Sequence, residues 1–533
     1  MVHDRRLVHI KQGKIVRPFN SQGEFEAVVT GGLRRTAIRS AGVSIAGSAG
    51  NFTVAMGSVV VLARLLKPSD FGIVTMVTTV SLLLRSFGIN GFTELIVQRE
   101  SLSDSLASNL FWINSGIATL IAIAFACSAP LMALFYHNPA TARVTVAMSL
   151  TILIGSLGYI HSALLQRAMH FRTVAIISFV GQSALVVVSI VLAVSGFGYW
   201  ALVWGSVTQT IVTSIGSWVT CQWTPRLPGR TSGTGSGFVF AMNVYSHYAF
   251  NYMTRNTDNL LVGWRCGAQE LGYYKKAYDL FVVPETQLMA PLTAVVVNTL
   301  SRLRGDLPQF ERYFLRTISV LALVGMAVGA DFALVGKDLI RVMLGPGWDP
   351  AGRIFSLFGP GIGVMLLYYT HGWIHLSIGR PARWLYWGII EFACTASLFL
   401  IMLHWGPSGV AFAWTASYFL LMFPGFWYAG RPIGLSLSSI VRVIWKFFFA
   451  SIFAGVTTFL ILRTAAPLSG VDTIVGALVR MALATISFTT LYLLTVIVLH
   501  NGPGPIRKTI DLLRDLLPER IAKGALSRSA VAE

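Results

Sequence analysis

The chain has 533 residues, 54% apolar and only 12% charged, with 41 Lys and Arg against 22 Asp and Glu and a formal charge of +19. Soluble domains carry roughly a quarter charged residues, so this composition, with a mean hydropathy of +0.66, makes lipid the main solvent and excludes a water-soluble enzyme. The positive excess is no nucleic-acid footprint, because Lys and Arg fall in short connections between apolar runs and form no single basic face. Cys127, Cys221, Cys266 and Cys394 lack metal-ligand spacing, and neither a metal nor an organic cofactor is expected.

Residues 1–40 hold Arg5, Arg6, Lys11, Lys14, Arg17, Arg34, Arg35 and Arg39 but no apolar core of signal-peptide length. They read as a mobile basic cytoplasmic extension, and the first membrane helix serves as an uncleaved signal anchor. A crossing helix needs about 20 apolar residues, and that window finds about 14 spans in the chain. Ser44–Leu65, Gly72–Ile96, Leu110–Leu134, Val144–Leu165, Val174–Ser195 and Trp200–Cys221 form a first lobe, residues 41–222. Phe238–Asn259, Ala277–Leu300, Ile318–Val335, Ile354–Leu376, Trp384–Leu403 and Val410–Ala429 form a second, residues 223–430. Val443–Leu462 and Ile474–Leu499 are two added helices in residues 431–500, before a tail at 501–533. The expected fold is therefore an all-α polytopic membrane protein of two six-helix lobes plus two C-terminal helices.

Cytoplasmic connections are rich in Lys and Arg. With the N-terminus inside, the inner connections carry Arg167 and Arg172, Arg302 and Arg304, and Arg380 and Arg383, whereas the outer ones after the fifth and eleventh spans carry none. Lys275, Lys276 and Lys337 are the exceptions. An even number of spans returns the C-terminus to the cytoplasm of a bacterial inner membrane. There Ile510, Leu513 and Leu517, beside Arg507, Lys508 and Arg514, have the spacing of an interfacial helix.

Shifted by 200 positions, the chain matches itself without a gap: Asn51-Phe52 over Asn251-Tyr252, Leu62-Ala63 over Val262-Gly263, and Asp70-Phe71-Gly72-Ile73 over Glu270-Leu271-Gly272-Tyr273. A looser echo places Gly196, Ala201 and Trp204 over Gly406, Ala411 and Trp414. An even number of helices per repeat gives both copies the same orientation, the parallel-repeat arrangement of some transporters.

The run Leu62-Ala63-Arg64-Leu65-Leu66-Lys67-Pro68-Ser69-Asp70-Phe71-Gly72 resembles the polysaccharide transporter, or Wzx-type oligosaccharide flippase, family. The likeness continues through Leu95-Ile96-Val97-Gln98-Arg99, Leu164-Leu165-Gln166-Arg167 with Phe171-Arg172, Asp258-Asn259-Leu260-Leu261-Val262-Gly263, and Leu271-Gly272-Tyr273-Tyr274 with Ala277-Tyr278. It implies the multidrug/oligosaccharidyl-lipid/polysaccharide exporter superfamily, with 14 helices in two lobes around a central cavity. It also implies an undecaprenyl-diphosphate-linked oligosaccharide moved from the cytoplasmic to the periplasmic leaflet, for exopolysaccharide or lipopolysaccharide biosynthesis. Membrane lipids, H⁺ or Na⁺, and a polysaccharide polymerase or export machinery are the further partners such a protein would meet. The long basic N-terminal segment and Glu94, where a small or apolar residue is usual, depart from the family pattern.

An ionisable group at mid-membrane costs at least about 2.5 to 3.5 kcal/mol, so it faces a cavity or a partner. Arg85, near the middle of the second span, is the leading phosphate ligand, because a guanidinium binds phosphate oxygens in a bidentate way; the alternative is a salt bridge to Glu94. His247, Asn251, Arg255 and Asp258 follow at steps of four, four and three and share one helix face. Arg255 would contact phosphate or sugar with Asp258 holding it, or the two form an ion pair at the helix end. Asn51 stands opposite Asn251 in the repeat, for sugar hydroxyls or for a neighbouring helix. Glu285, Asp331 and Glu391 are the ion-coupling candidates, since a desolvated carboxylate can take up and release protons; simple pairing with a polar neighbour is the alternative for each. Trp112, Trp200, Trp204, Tyr368, Tyr369, Trp373 and Trp414 offer rings for sugar faces or for interfacial belts.

Three other readings compete with a flippase, one of them a purely structural membrane subunit. A drug antiporter of the same superfamily shares the fold, and a membrane glycosyltransferase or polymerase shares the substrate. The latter is disfavoured because no Asp-x-Asp or paired-His cluster and no Gly-rich phosphate loop opening a helix is found.

Overall fold

The computed structural model describes residues 17–25, 33–99, 101–229, 234–464, 473–507 and 509–510. With no water in the hydrocarbon to satisfy backbone groups, apolar runs of this length close their hydrogen bonds internally as helices. In chain order these are α1 (Leu33–Leu65), α2 (Pro68–Ser86), a π-helical segment (Phe87–Phe92), α3 (Thr93–Gln98), α4 (Asp104–Cys127), α5 (Ala129–Tyr136), α6 (Pro139–Arg167), α7 (Phe171–Val194), α8 (Trp200–Thr220) and α9 (Thr234–Phe281). A second π segment (Glu285–Met289) then leads to α10 (Ala290–Arg302), α11 (Leu307–Leu344), α12 (Asp349–Tyr368), α13 (Thr370–Ser377), α14 (Pro381–Met402), α15 (Gly406–Gly430), α16 (Leu437–Thr464) and α17 (Ile474–Leu499). Helix starts follow local chemistry: Ser103, Asn138, Asp306 and Thr473 accept a first-turn N–H at α4, α6, α11 and α17.

Each expected span falls on a helical segment, although the count of clear crossings is lower. Among the described residues, 10 helices are long and apolar enough to cross a membrane, or 11 if one bent pair is a single span. The difference has three sources. Ala382–Ile433 counts as one stretch but takes in two expected spans, Trp200–Thr220 does not qualify, and the polar stretch from Thr234 to Arg302 qualifies only as the bent pair. The expected tail helix at 506–517 lies largely outside the described residues.

The chain divides into two compact units, Met1–Gly272 and Tyr273–Glu533. In the first, α4, α6, α7 and α8 pack around Leu106, Leu110, Phe111, Ile160, Leu164 and Cys221. In the second, α11 and α12 approach through glycines: a Cβ on Gly359 would come 2.5 Å from the Ala333 nitrogen, and one on Gly363 2.7 Å from the Gly325 carbonyl oxygen. Small residues of this kind are how helices pack closely where lipid supplies no hydrophobic drive. α17 is tied to α11 by an Arg480–Asp338 ion pair at 2.6 Å and by Tyr492 Oη donating to the Leu323 carbonyl at 2.8 Å.

Part of the N-terminal extension, expected to be mobile, is a docked turn. Asn20 Oδ1 accepts from the Gln22 and Glu24 nitrogens at 3.0 and 2.9 Å, and Gly23 takes φ +75°, which folds Phe19 back onto Phe25. The Phe25 nitrogen donates to the Leu102 carbonyl at 3.1 Å, Gly23 accepts from the Asp104 nitrogen at 2.8 Å, and the Phe19 ring lies 6.1 Å from that of Trp223. Arg167 sits 4.8 Å over the Phe25 ring while its Nη1 donates to the Ile96 and Arg99 carbonyls at 2.5 and 2.6 Å. Residues 17–25 therefore clip together the connections before α4, after α6 and after α8.

The break between α1 and α2 at Lys67 recurs 200 residues later, where α9 is interrupted at Gly267 with φ +82°. A side chain at Gly72 would overlap the Ala268 carbonyl, and one at Gly272 would overlap the Pro68 carbonyl. Position 72 thus meets 268 as 272 meets 68, the reciprocal contact that a local two-fold between duplicated segments produces.

Candidate functional site

Arg85 ends α2, and the six-residue π segment that follows at once is a widened turn of a kind frequent at functional sites. Two glycines let it fit among its neighbours. A Cβ on Gly88 would come 2.6 Å from Asn114 Oδ1 and 2.7 Å from the Tyr159 ring, and one on Gly91 would come 2.8 Å from the Ala241 carbonyl oxygen. Arg85 itself is half-buried, and its Nε is wholly buried without a hydrogen-bond partner. The alternative salt bridge is not formed: Glu94 instead accepts from Gln98 Nε2 at 2.8 Å, and no hydrogen bond or ion pair to Arg85 is present among the described residues. Its charge reaches the hydroxyls of Tyr159 on α6 and Tyr252 on α9.

The expected polar stripe on α9 is not uniformly wet. Asn251 is exposed, Arg255 is half-buried and Asp258 is fully buried, accepting from the Asn259 nitrogen at 2.7 Å. The His247 side chain lies outside the described residues. Tyr252 lies in the electrostatic field of both Arg85 and Asp258, so the first unit brings these three together. Asn51, on α1, is half-buried with an Oδ1 that is buried and unpaired.

In the second unit the carboxylates separate into two groups. Asp331 accepts from Thr485 Oγ1 at 3.1 Å, one end of the α11–α17 junction that Arg480 and Asp338 also fasten. Glu285 and Glu391 instead lead to one tyrosine cluster. Glu391 hydrogen-bonds Tyr368, whose Oη also accepts from Trp387 Nε1 at 2.7 Å. Glu285 acts electrostatically on Tyr418, whose Oη lies 3.0 Å from that of Tyr369.

Sequence reading missed how these rings are used. Tyr368, Trp373 and Trp414 are 0%, 2% and 4% exposed, so they pack inside the unit and do not present faces to a sugar. It also missed His371 and His375, buried four residues apart beside Tyr368 and Tyr428, with both ring nitrogens of His375 unpaired. Their spacing on one helix face was the available signal. Among the described residues no group of three or more His, Cys, Asp or Glu could hold a metal ion.

A family model described as "Polysaccharide biosynthesis protein" matches residues 61–353, more than half the chain. The chain belongs to that family. It is a Wzx-type polysaccharide flippase of the multidrug/oligosaccharidyl-lipid/polysaccharide exporter superfamily. Its relatives include the succinoglycan biosynthesis transport protein ExoT of Rhizobium meliloti, 23% identical over 68% of this chain and 73% of that one. The teichuronic acid biosynthesis protein TuaB of Bacillus subtilis is 24% identical over 69% of this chain and 77% of its own length. The lipopolysaccharide biosynthesis protein WzxC of Escherichia coli is 21% identical over 56% and 61%. Among solved structures, the lipid II flippase MurJ in an inward closed conformation superposes with a TM-score of 0.67 at 13% identity, covering 84% of this chain and 98% of that one. An inward-facing multidrug transporter of the same superfamily gives 0.59 at 14% identity, covering 73% and 95%. The family member described here is thus a multi-pass membrane transporter with that superfamily's fold.

Proposed function

We infer that this family member moves a prenyl-diphosphate-linked oligosaccharide from the cytoplasmic to the periplasmic leaflet of a bacterial inner membrane by alternating access, with both termini cytoplasmic. The observation that carries the reading is Arg85: a cation with no counter-charge among the described residues, just before a glycine-packed π turn. A guanidinium there needs an anion that no described residue supplies, and a diphosphate offers bidentate acceptors. Tyr252, Arg255 and Asp258 provide the neighbouring polar field, with Asn51, Asn251 and His247 as further sugar contacts. An apolar groove of about 390 Å³ between α11, α12, α15 and α16, walled by Phe419, Phe448 and Phe459 and floored by Gly329, Ala333 and Gly363, has the shape and chemistry to take a prenyl chain.

Coupling to H⁺ or Na⁺ is assigned to Glu285 and Glu391, which share the tyrosine cluster, with Asp331 in a docking role. Surface polymer in a host lacking its own flippase tests the scheme. Arg85→Ala should cut export by about 100-fold while the protein still reaches the membrane, with lipid-linked precursor accumulating on the cytoplasmic leaflet. Wild-type export by that variant at normal protein level would remove the phosphate assignment.

A further inference from the structure

A second cavity, of about 220 Å³, lies within the first unit between the π segment with α3, α6, α7 and α8. Eight of its 13 lining residues carry a hydroxyl or amide, against one of 14 in the apolar groove of the second unit. Hydroxyls in membrane helices normally bond back to their own helix. Thr213 and Ser217 do so, donating to the Gln209 and Thr213 carbonyls at 2.9 Å, and Ser214 donates across to the Ile154 carbonyl at 3.0 Å. Three others are uncommitted: Tyr159 Oη, Thr93 Oγ1 and Ser178 Oγ make no hydrogen bond among the described residues. They stand on three different walls, and Gln166 adds an amide whose one bond, to Ser162 Oγ, is long at 3.5 Å.

At about 30 Å³ per water molecule, the space holds on the order of seven waters, which suits one sugar ring and not two. Gly155 and Gly158 keep the α6 wall low, and a Cβ on Gly158 would come 2.8 Å from Ser214 Oγ. Tyr159 lines this cavity with its ring against Gly88, and Ile89, four residues after Arg85, lines it too. An anion held at Arg85 therefore brings whatever is esterified to it to the cavity's edge.

We propose that this cavity is the subsite for the sugar residue joined directly to the diphosphate, with Tyr159, Thr93 and Ser178 bonding its hydroxyls. The proposal rests on the phosphate role of Arg85 and adds where the first sugar sits. The test uses the full chain in nanodiscs and three probes: geranylgeranyl diphosphate, its N-acetylglucosaminyl conjugate, and phosphatidylglycerol. The wild type should prefer the conjugate over the bare diphosphate by about tenfold or more. Thr93→Val with Ser178→Ala, which preserves shape, and Ser178→Phe, which fills the space, should each erase that preference. Bare diphosphate binding in both variants serves as the folding control.

A preference that survives both variants overturns the proposal. So does phosphatidylglycerol displacing the conjugate with the same sensitivity to both variants, since the cavity is then a lipid headgroup site. If Arg85→Ala leaves bare diphosphate binding intact while the cavity variants still erase the preference, the subsite stands and the phosphate assignment falls.

Discussion

The two copies of the broken helix pair, residues 51–92 and 251–289, share their geometry and differ in their charge. Both break at the same register, Lys67 and Gly267, both make the same glycine-to-carbonyl contact, and both run into a π segment, Phe87–Phe92 in one and Glu285–Met289 in the other. Just there, position 85 is Arg and position 285 is Glu. Arg85 has no counter-charge among the described residues, whereas Glu285 belongs to a field of tyrosines. Duplication preserved the backbone device and let its chemistry diverge, so one copy suits an anion and the other a cation or proton.

The largest effect should come from the shared backbone. Gly72→Val and Gly272→Val each drive a side chain into a carbonyl that has nowhere to move, and each should leave no folded protein by fluorescence-detected size exclusion. If one is tolerated, the two contacts are not equivalent. Next, the divergent charges should separate cleanly. Arg85→Ala should cut export by about 100-fold, the upper end for a charge-assisted hydrogen-bonding group, and Arg85→Lys should recover part of it as a point charge. Glu285→Gln should lower export by less than about tenfold but remove its response to an imposed ion gradient; equal losses at both positions would erase the distinction.

A smaller effect is expected outside the duplicated region. Arg480→Ala strands the mostly buried Asp338 and should lower stability by about 3 kcal/mol, read in thermal unfolding, with export retained once the protein is assembled. Smallest of all is Glu94→Gln. Because Glu94, among the described residues, bonds only its helical neighbour Gln98 and leaves Arg85 alone, the substitution should shift stability by less than about 0.5 kcal/mol and leave export unchanged.

Helices were legible because a 20-residue apolar run has one structural outcome in lipid, and the duplication was legible because Asn51 and Gly72 recur, and Asp70 returns as Glu270, at a fixed offset. The π segments were not. A single extra residue in a turn leaves no periodic trace, although Gly88, Gly91 and Pro284 mark the places. Arg85 stood out as an intramembrane charge, but only the folded chain shows that Glu94 turns away from it. Burial along the stripe on α9 was not legible, since exposure at Asn251 and full burial at Asp258 depend on which neighbours pack there. The hydroxyls of Thr93, Ser178 and Tyr159 come from three helices, and no linear pattern joins them.

The clip at residues 17–25 has a consequence for biogenesis. Its partners, Leu102, Asp104, Arg167 and Trp223, extend about 200 residues further along the chain, so residues 17–25 cannot complete their contacts until the chain has been made through Trp223. Docking of Phe19 and Phe25 is then a late step in the assembly of the first unit.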